Sequence, residues 1–251
     1  MRWLPLQGAV NARDLGGLPL AGGGATRPGV LLRTDNLQRL HHTDVRLLVD
    51  ELRVRVVVDL RTGVEVAAEG PGPLTREAAV EIRHRSLYPE AGQNTDLDVL
   101  PWQGVDPMGH LQESPAVRAY LGYLRDRPDS IIAALRDVAY ADGAAIVHCA
   151  AGKDRTGVVC AFALTVAGVP QEAIIADYVA TDERIDAIVA RLAASPTYAG
   201  DIHVEQTDRH RPRAETMERV LELVDVHAWL AAHGFTAADA ERLRARFGDA
   251  R

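Results

Sequence analysis

The apolar positions of this chain change period several times, and each change marks an element. Ala144-Ala145-Ile146-Val147 is a short continuous apolar run, the pattern of a strand buried on both faces. Val54–Leu60 alternates weakly and becomes continuously apolar at Val56-Val57-Val58, which suits a second central strand. Val30-Leu31-Leu32 and Val80–Leu87 read as further strands; Arg83, His84 and Arg85 give the latter the solvated face of an edge strand. Helical spacing predicts a helix capped by Thr43 and running to about Leu52, and two more over Ala116–Arg127 and Ser130–Ala141, separated by Pro128. An apolar helix is predicted over Gly157–Val169, then a helical stretch from Pro170 to about Ala194 with a break. An amphipathic helix over Ala214–His233 stops at Gly234, and Thr236 caps a last one that closes by Phe247. Residues 1–34 read as an irregular arm with short strands, while 89–114 and 195–213 read as long loops. The alternation predicts an α/β fold with a central, mostly parallel sheet and helices on both faces, residues 1–251 forming a single domain.

Between the strand at 144–147 and the helix that follows lies His148-Cys149-Ala150-Ala151-Gly152-Lys153-Asp154-Arg155-Thr156-Gly157. A loop of this length before a helix N-terminus can turn its backbone N–H groups inward as a nest for an anion. A cysteine at the base of that nest becomes a nucleophile, because the N–H groups and the helix dipole stabilise its thiolate. Arg155 offers a planar fork to two phosphoryl oxygens, which lysine cannot do. The chemistry that follows is hydrolysis of a phosphate monoester through a phosphocysteine. Cys149 attacks phosphorus, the N–H groups of Ala150, Ala151, Gly152, Lys153, Asp154 and Arg155 hold the equatorial oxygens, and Thr156 donates its hydroxyl to the sulfur. His148 is expected to order the loop.

The stretch resembles the Cys-x5-Arg-[Ser/Thr] signature of the protein tyrosine phosphatase superfamily. It is nearest to bacterial tyrosine and phosphoinositide phosphatases with a His-Cys-x-x-Gly-Lys-Asp-Arg-Thr loop. Asn11-Ala12-Arg13-Asp14-Leu15-Gly16-Gly17 is similar to an element near the start of the same bacterial proteins. Arg13 and Asp14 are expected to form a pair that braces a neighbouring loop. The resemblance implies a helical lid over the site at about 171–213.

A leaving phenolate or alkoxide needs a proton, so a carboxylic acid must stand nearby. The Trp-Pro-Asp triplet of conventional tyrosine phosphatases is absent. Asp154, inside the loop, is the first candidate, and its position is similar to that of an aspartate in the myotubularin lipid phosphatase loop. Asp59, at the end of a neighbouring strand, is second and Asp106 third.

Composition sharpens the picture. Of 28 basic residues only Lys153 is lysine, and a compact ammonium there is expected to approach the phosphoryl group or a second phosphate on the substrate. The basic run Asp208-Arg209-His210-Arg211-Pro212-Arg213 is either solvated surface or a contact for an anionic headgroup. A net charge of -7 argues against nucleic-acid and anionic-membrane binders. Two cysteines make no disulfide framework, and Cys160 reads as buried packing. With no signal peptide, no membrane span and a thiol nucleophile, a cytoplasmic location is expected, with secretion by a route that uses no leader as the alternative. No cofactor is expected, and the histidines show no metal-ligand spacing. The expected substrate is phosphotyrosine in a protein, with phosphoserine, phosphothreonine and phosphoinositides left open as further substrates. The alternatives are a phosphoinositide phosphatase and a phosphate-binding pseudophosphatase; a sulfurtransferase would not need this loop sequence, and an arsenate reductase would want additional shuttling cysteines, for which Cys160 is a poor candidate.

Overall fold

In the computed structural model, described here for residues 1–90 and 108–248, the strands form one sheet. They are β1 (Arg2–Trp3), β2 (Arg13–Asp14), β3 (Leu31–Thr34), β4 (Val54–Asp59), β5 (Glu81–His84) and β6 (Ala144–His148). The order is β1-β2-β3-β6-β4-β5; β3, β6, β4 and β5 are parallel, and β1 and β2 join antiparallel at one side. The predicted mostly parallel sheet is therefore present, with β6 and β4 the inner pair of its four parallel strands.

Alternation on these strands sorts the core. Leu31, Val56, Val58, Ala145 and Val147 face one apolar cluster, while Leu32, Val57, Ala144 and Ile146 face the other. The second cluster is covered by the N-terminal arm, α1 (His42–Arg46) and the π turn Leu47–Glu51 that continues it. Most of the helical mass lies on the first cluster: α3 (Pro115–Asp126), α4 (Pro128–Tyr140), α5 (Asp154–Ala167), α6 (Gln171–Ala180), α8 (Ala214–Leu223), α9 (Val226–Ala232) and α10 (Ala237–Phe247). Two further helices, α2 (Gly63–Glu69) and α7 (Ile185–Ala193), flank the carboxyl end of the sheet.

Several boundaries differ from the sequence reading. The first helix is capped at His41 rather than Thr43, because the Asp44 carboxylate accepts the His41 N–H at 2.8 Å and also binds the arm at Gln7 and Gly8. The expected helix at 214–233 is two helices; the chain turns at Val224-Asp225, and Asp225 caps the second half. The apolar helix starts at Asp154, not Gly157, so Arg155 and Thr156 lie in its first turn. Much of the expected loop at 89–114, Asp106 included, lies outside the described residues.

Parallel register brings functional positions level. Thr34 and Asp59 both pair with His148, so the segments after β3, β4 and β6 leave the sheet side by side at its carboxyl edge. Open α/β sheets place their ligands at that edge.

Candidate active site

Cys149 follows the last residue of β6 and is buried. The loop after it is held from outside by its carbonyls. The Asn36 N–H donates to the Ala150 carbonyl (3.0 Å). Asn11 Nδ2 donates to Ala151 (2.9 Å) and Gly152 (3.2 Å), and Arg33 Nη2 to Gly152 (2.7 Å). With these carbonyls turned outward, none of the N–H groups of Ala150 to Arg155 donates to an acceptor among the described residues. N–H groups left undonated on successive residues of such a loop are the donors an oxyanion can fill. Gly152 permits the turn: its φ is +66°, and a Cβ there would stand 2.3 Å from the Thr34 carbonyl oxygen.

Arg155 is buried and committed on one edge. Its Nη1 and Nη2 donate to the two oxygens of Glu65 at 2.6 and 2.9 Å. Tyr198 also hydrogen-bonds this guanidinium, which leaves the edge that carries Nε for a phosphoryl group. Glu65 is fully buried on α2, where it accepts the Thr62 N–H at 2.7 Å in a capping box and also the Tyr198 hydroxyl. Burial raises the Glu65 pKa, but the Arg155 guanidinium outweighs it and holds the carboxyl below its ordinary value. Sequence reasoning missed Glu65, although Thr62-Gly-Val-Glu65 carries the capping-box spacing.

Asp154 is the most accessible acid beside the loop. Its Oδ1 accepts the Tyr120 hydroxyl at 2.6 Å and lies 3.6 Å from Lys153 Nζ. Asp59, the second candidate donor, is not free to serve. Arg61 binds both its oxygens at 2.9 and 2.6 Å, and His148 Nε2 lies 3.5 Å away. Burial would raise the Asp59 carboxyl; His148, when protonated, and Arg61 overcome this and hold it well below the usual carboxylate range, and near pH 7 Arg61 is the charge that keeps it ionised. His148 itself is pushed down to about 4 by burial, against the pull of Asp59, and is neutral near pH 7.

Other expectations are also revised. Lys153 donates to the His210 carbonyl at 2.6 Å, so it anchors the 3-10 turn Val204–His210 rather than extending into the nest. The Thr156 hydroxyl is buried and bonds nothing among the described residues, so the expected bond to the Cys149 sulfur is not formed. Arg13 and Asp14 do not pair with each other. Arg13 reaches Asp177 on α6 (2.7 Å), the Thr181 hydroxyl (3.0 Å) and Asn11 (2.5 Å). Asp14 instead accepts the Gly16 and Gly29 N–H groups within the arm. The arm does brace the loop, through Asn11 directly and through Asp177, which Arg13 shares with Arg33 (2.5 Å). Cys160 is wholly buried in α5, and burial pushes its thiol up to about 12, a packing residue as expected.

The whole arrangement is an anion nest with a thiol at its base, a fixed guanidinium edge and a carboxyl at the rim. Comparison with known proteins gives the family. The chain is 33% identical over 147 residues to a tyrosine-protein phosphatase of Nostoc commune, covering 59% of this chain but only 46% of that protein. It is 30% identical over 214 residues to the triple specificity protein phosphatase PtpB of Mycobacterium tuberculosis, covering 75% of this chain and 72% of the relative. Among solved structures, TpbA of P. aeruginosa aligns over 82% of this chain and 86% of its own, at 14% identity and a TM-score of 0.40. The profile of the tyrosine phosphatase family matches residues 4–249; the chain belongs to that family of hydrolases.

Proposed function

We propose that this chain hydrolyses phosphotyrosine in proteins through a phosphocysteine at Cys149. The carrying observation is the run of undonated N–H groups from Ala150 to Arg155 that follows a buried thiol. The Cys149 thiolate attacks phosphorus, the S–P bond forms as the P–O bond breaks, and Asp154 gives its proton to the departing oxygen. Water then attacks the phosphocysteine, Asp154 takes the water's proton, and phosphate leaves as the thiolate is restored. The Nε edge of Arg155, with the backbone N–H groups, holds the equatorial oxygens throughout. Asp59, already ionised and bonded, is a poor proton donor by comparison.

We read residues 1–251 as one phosphatase domain in which 171–213 covers the site. Two contacts support this reading: Lys153 to the His210 carbonyl, and Tyr198 to Glu65 behind Arg155. A phosphoinositide is the second substrate class. Beside His210 stand Lys153 and Arg209, two cations that an anionic headgroup could use, together with the opposing charge of Asp154. Against it, Arg211 is already matched by Asp182, Asp208 and Asp186, which favours a protein substrate. Among the described residues no helix is long and apolar enough to cross a membrane. A thiolate nucleophile works only while reduced, which favours the cytoplasm.

The test is hydrolysis of an aryl phosphate in EDTA by wild type and Cys149→Ser, followed by phosphopeptides against phosphoinositide vesicles. Loss of turnover in Cys149→Ser with retained vanadate binding is expected. Unchanged turnover would end the phosphocysteine route.

A further inference from the structure

We propose that Tyr120 is the positioning residue for the proton donor: its hydroxyl, backed by that of Tyr178, holds one oxygen of Asp154 and leaves the other to carry the proton. The proposal rests on the reading of Asp154 as general acid and deepens it.

Tyr120 projects from α3 and is 1% exposed. Its hydroxyl donates to Asp154 Oδ1 at 2.6 Å and lies 2.8 Å from the Tyr178 hydroxyl on α6. One phenol has one proton. With that proton given to Asp154, Tyr178 must donate to the Tyr120 oxygen, so the chain runs in one direction, Tyr178 to Tyr120 to Asp154. Lys153 also approaches Oδ1, at 3.6 Å. The Tyr120 hydrogen bond and the shortest approach of Lys153 therefore fall on the same oxygen, and no hydrogen bond among the described residues goes to Oδ2.

A carboxylic acid bonded this way has a definite form. Oδ1, accepting from Tyr120, is its carbonyl oxygen, and Oδ2 bears the hydrogen. That hydrogen passes to the leaving oxygen as the P–O bond breaks, and the carboxylate left behind keeps its bond from Tyr120. The orienting hydroxyl is itself immobile: the Tyr120 ring is stacked on Tyr123 at 5.9 Å and meets Tyr178 edge-on at 6.4 Å. Tyr178 in turn lies against Gly157 in α5, where a Cβ would meet its ring at 3.1 Å. Three helices thus converge to fix one side chain at the rim of the nest, as a preorganised donor requires.

The experiment measures kcat and KM for 4-nitrophenyl phosphate, whose leaving group needs little protonation, and for phenyl phosphate, whose leaving group needs more. Tyr120→Phe is expected to lower kcat about tenfold with phenyl phosphate and less than about twofold with 4-nitrophenyl phosphate. This is a fraction of the roughly 10²- to 10⁴-fold that a general acid contributes. KM and vanadate inhibition are expected to hold. In an Asp154→Asn background, Tyr120→Phe is expected to change kcat less than about twofold, because both changes act through one group. Equal losses with the two substrates, or a loss that persists in Asp154→Asn, would overturn the proposal. If Asp154→Asn itself keeps the wild-type leaving-group dependence, Asp154 is not the acid and the proposal falls with it, an outcome visible without touching Tyr120. Should Tyr120→Phe not fold, Tyr178→Phe carries the test: a selective loss of about threefold with phenyl phosphate supports the chain, and none overturns it.

Discussion

Glu65→Gln is the sharpest single perturbation of the site. The substitution keeps shape but removes the only carboxylate that Arg155 contacts among the described residues. One of the two guanidinium donors, at 2.6 and 2.9 Å, then faces an amide NH₂ instead of an oxygen. Breaking a buried ion pair from one side costs about 3–5 kcal/mol, since the remaining charge stays out of water. For a chain of this size each kcal/mol lowers Tm by about 2–4 °C, so the expected fall is roughly 6–20 °C. Catalysis suffers separately. Removing one properly aimed oxyanion donor typically costs about 10²- to 10³-fold; Glu65→Gln misaims Arg155 without deleting it, so a loss of about 10- to 100-fold in kcat/KM is expected. Differential scanning calorimetry and initial rates with an aryl phosphate read the two effects. Vanadate should restore part of the lost Tm, because a bound anion supplies the missing charge. A Tm within about 2 °C of wild type together with kcat/KM within threefold would refute the claim that Glu65 fixes Arg155.

Gly152→Ala places a Cβ against the Thr34 carbonyl at a positive φ; a loss of at least about 2 kcal/mol by urea unfolding and a strong fall in kcat are expected. His148 produces a pH effect. Its pKa is about 4 when folded against 6.5 in the free side chain, so between those values the unfolded chain binds a proton that the folded one refuses. Stability is complete above pH 6.5 and falls with acidification towards pH 4, by up to about 3 kcal/mol. His148→Gln should flatten that slope in chemical unfolding at pH 7 and pH 5. Lys153→Met removes the bond to the His210 carbonyl; hydrogen exchange of residues 204–210 should accelerate several-fold while exchange in β6 stays unchanged.

The nucleophile, its loop and the flanking strand and helix were legible because they are contiguous, so spacing alone reports their geometry. The sheet was legible for a related reason: Val56–Val58 and Ala144–Val147 are apolar on both faces, and only central strands are. What escaped was assembled across the fold. Glu65, Tyr120, Tyr178 and Tyr198 meet the loop from α2, α3, α6 and the segment after α7, and no local pattern encodes that meeting. Asp59 shows the converse error. Its place at a strand end suggested chemistry, but Arg61, two residues on, folds back and occupies both its oxygens. The helix boundary at 154 was missed because apolar periodicity begins only after the polar first turn, whose residues serve the nest and not the core.

Asp177 is one carboxylate shared by two buried guanidiniums, Arg13 and Arg33. Counted by itself, this triad carries a surplus of one positive charge directly behind the loop, in a molecule whose overall charge is -7. An approaching dianion therefore meets a repelling exterior and an attracting throat. Simple salt should weaken the first by screening far more than the second, so capture at low ionic strength is governed by where the substrate enters rather than by how charged it is.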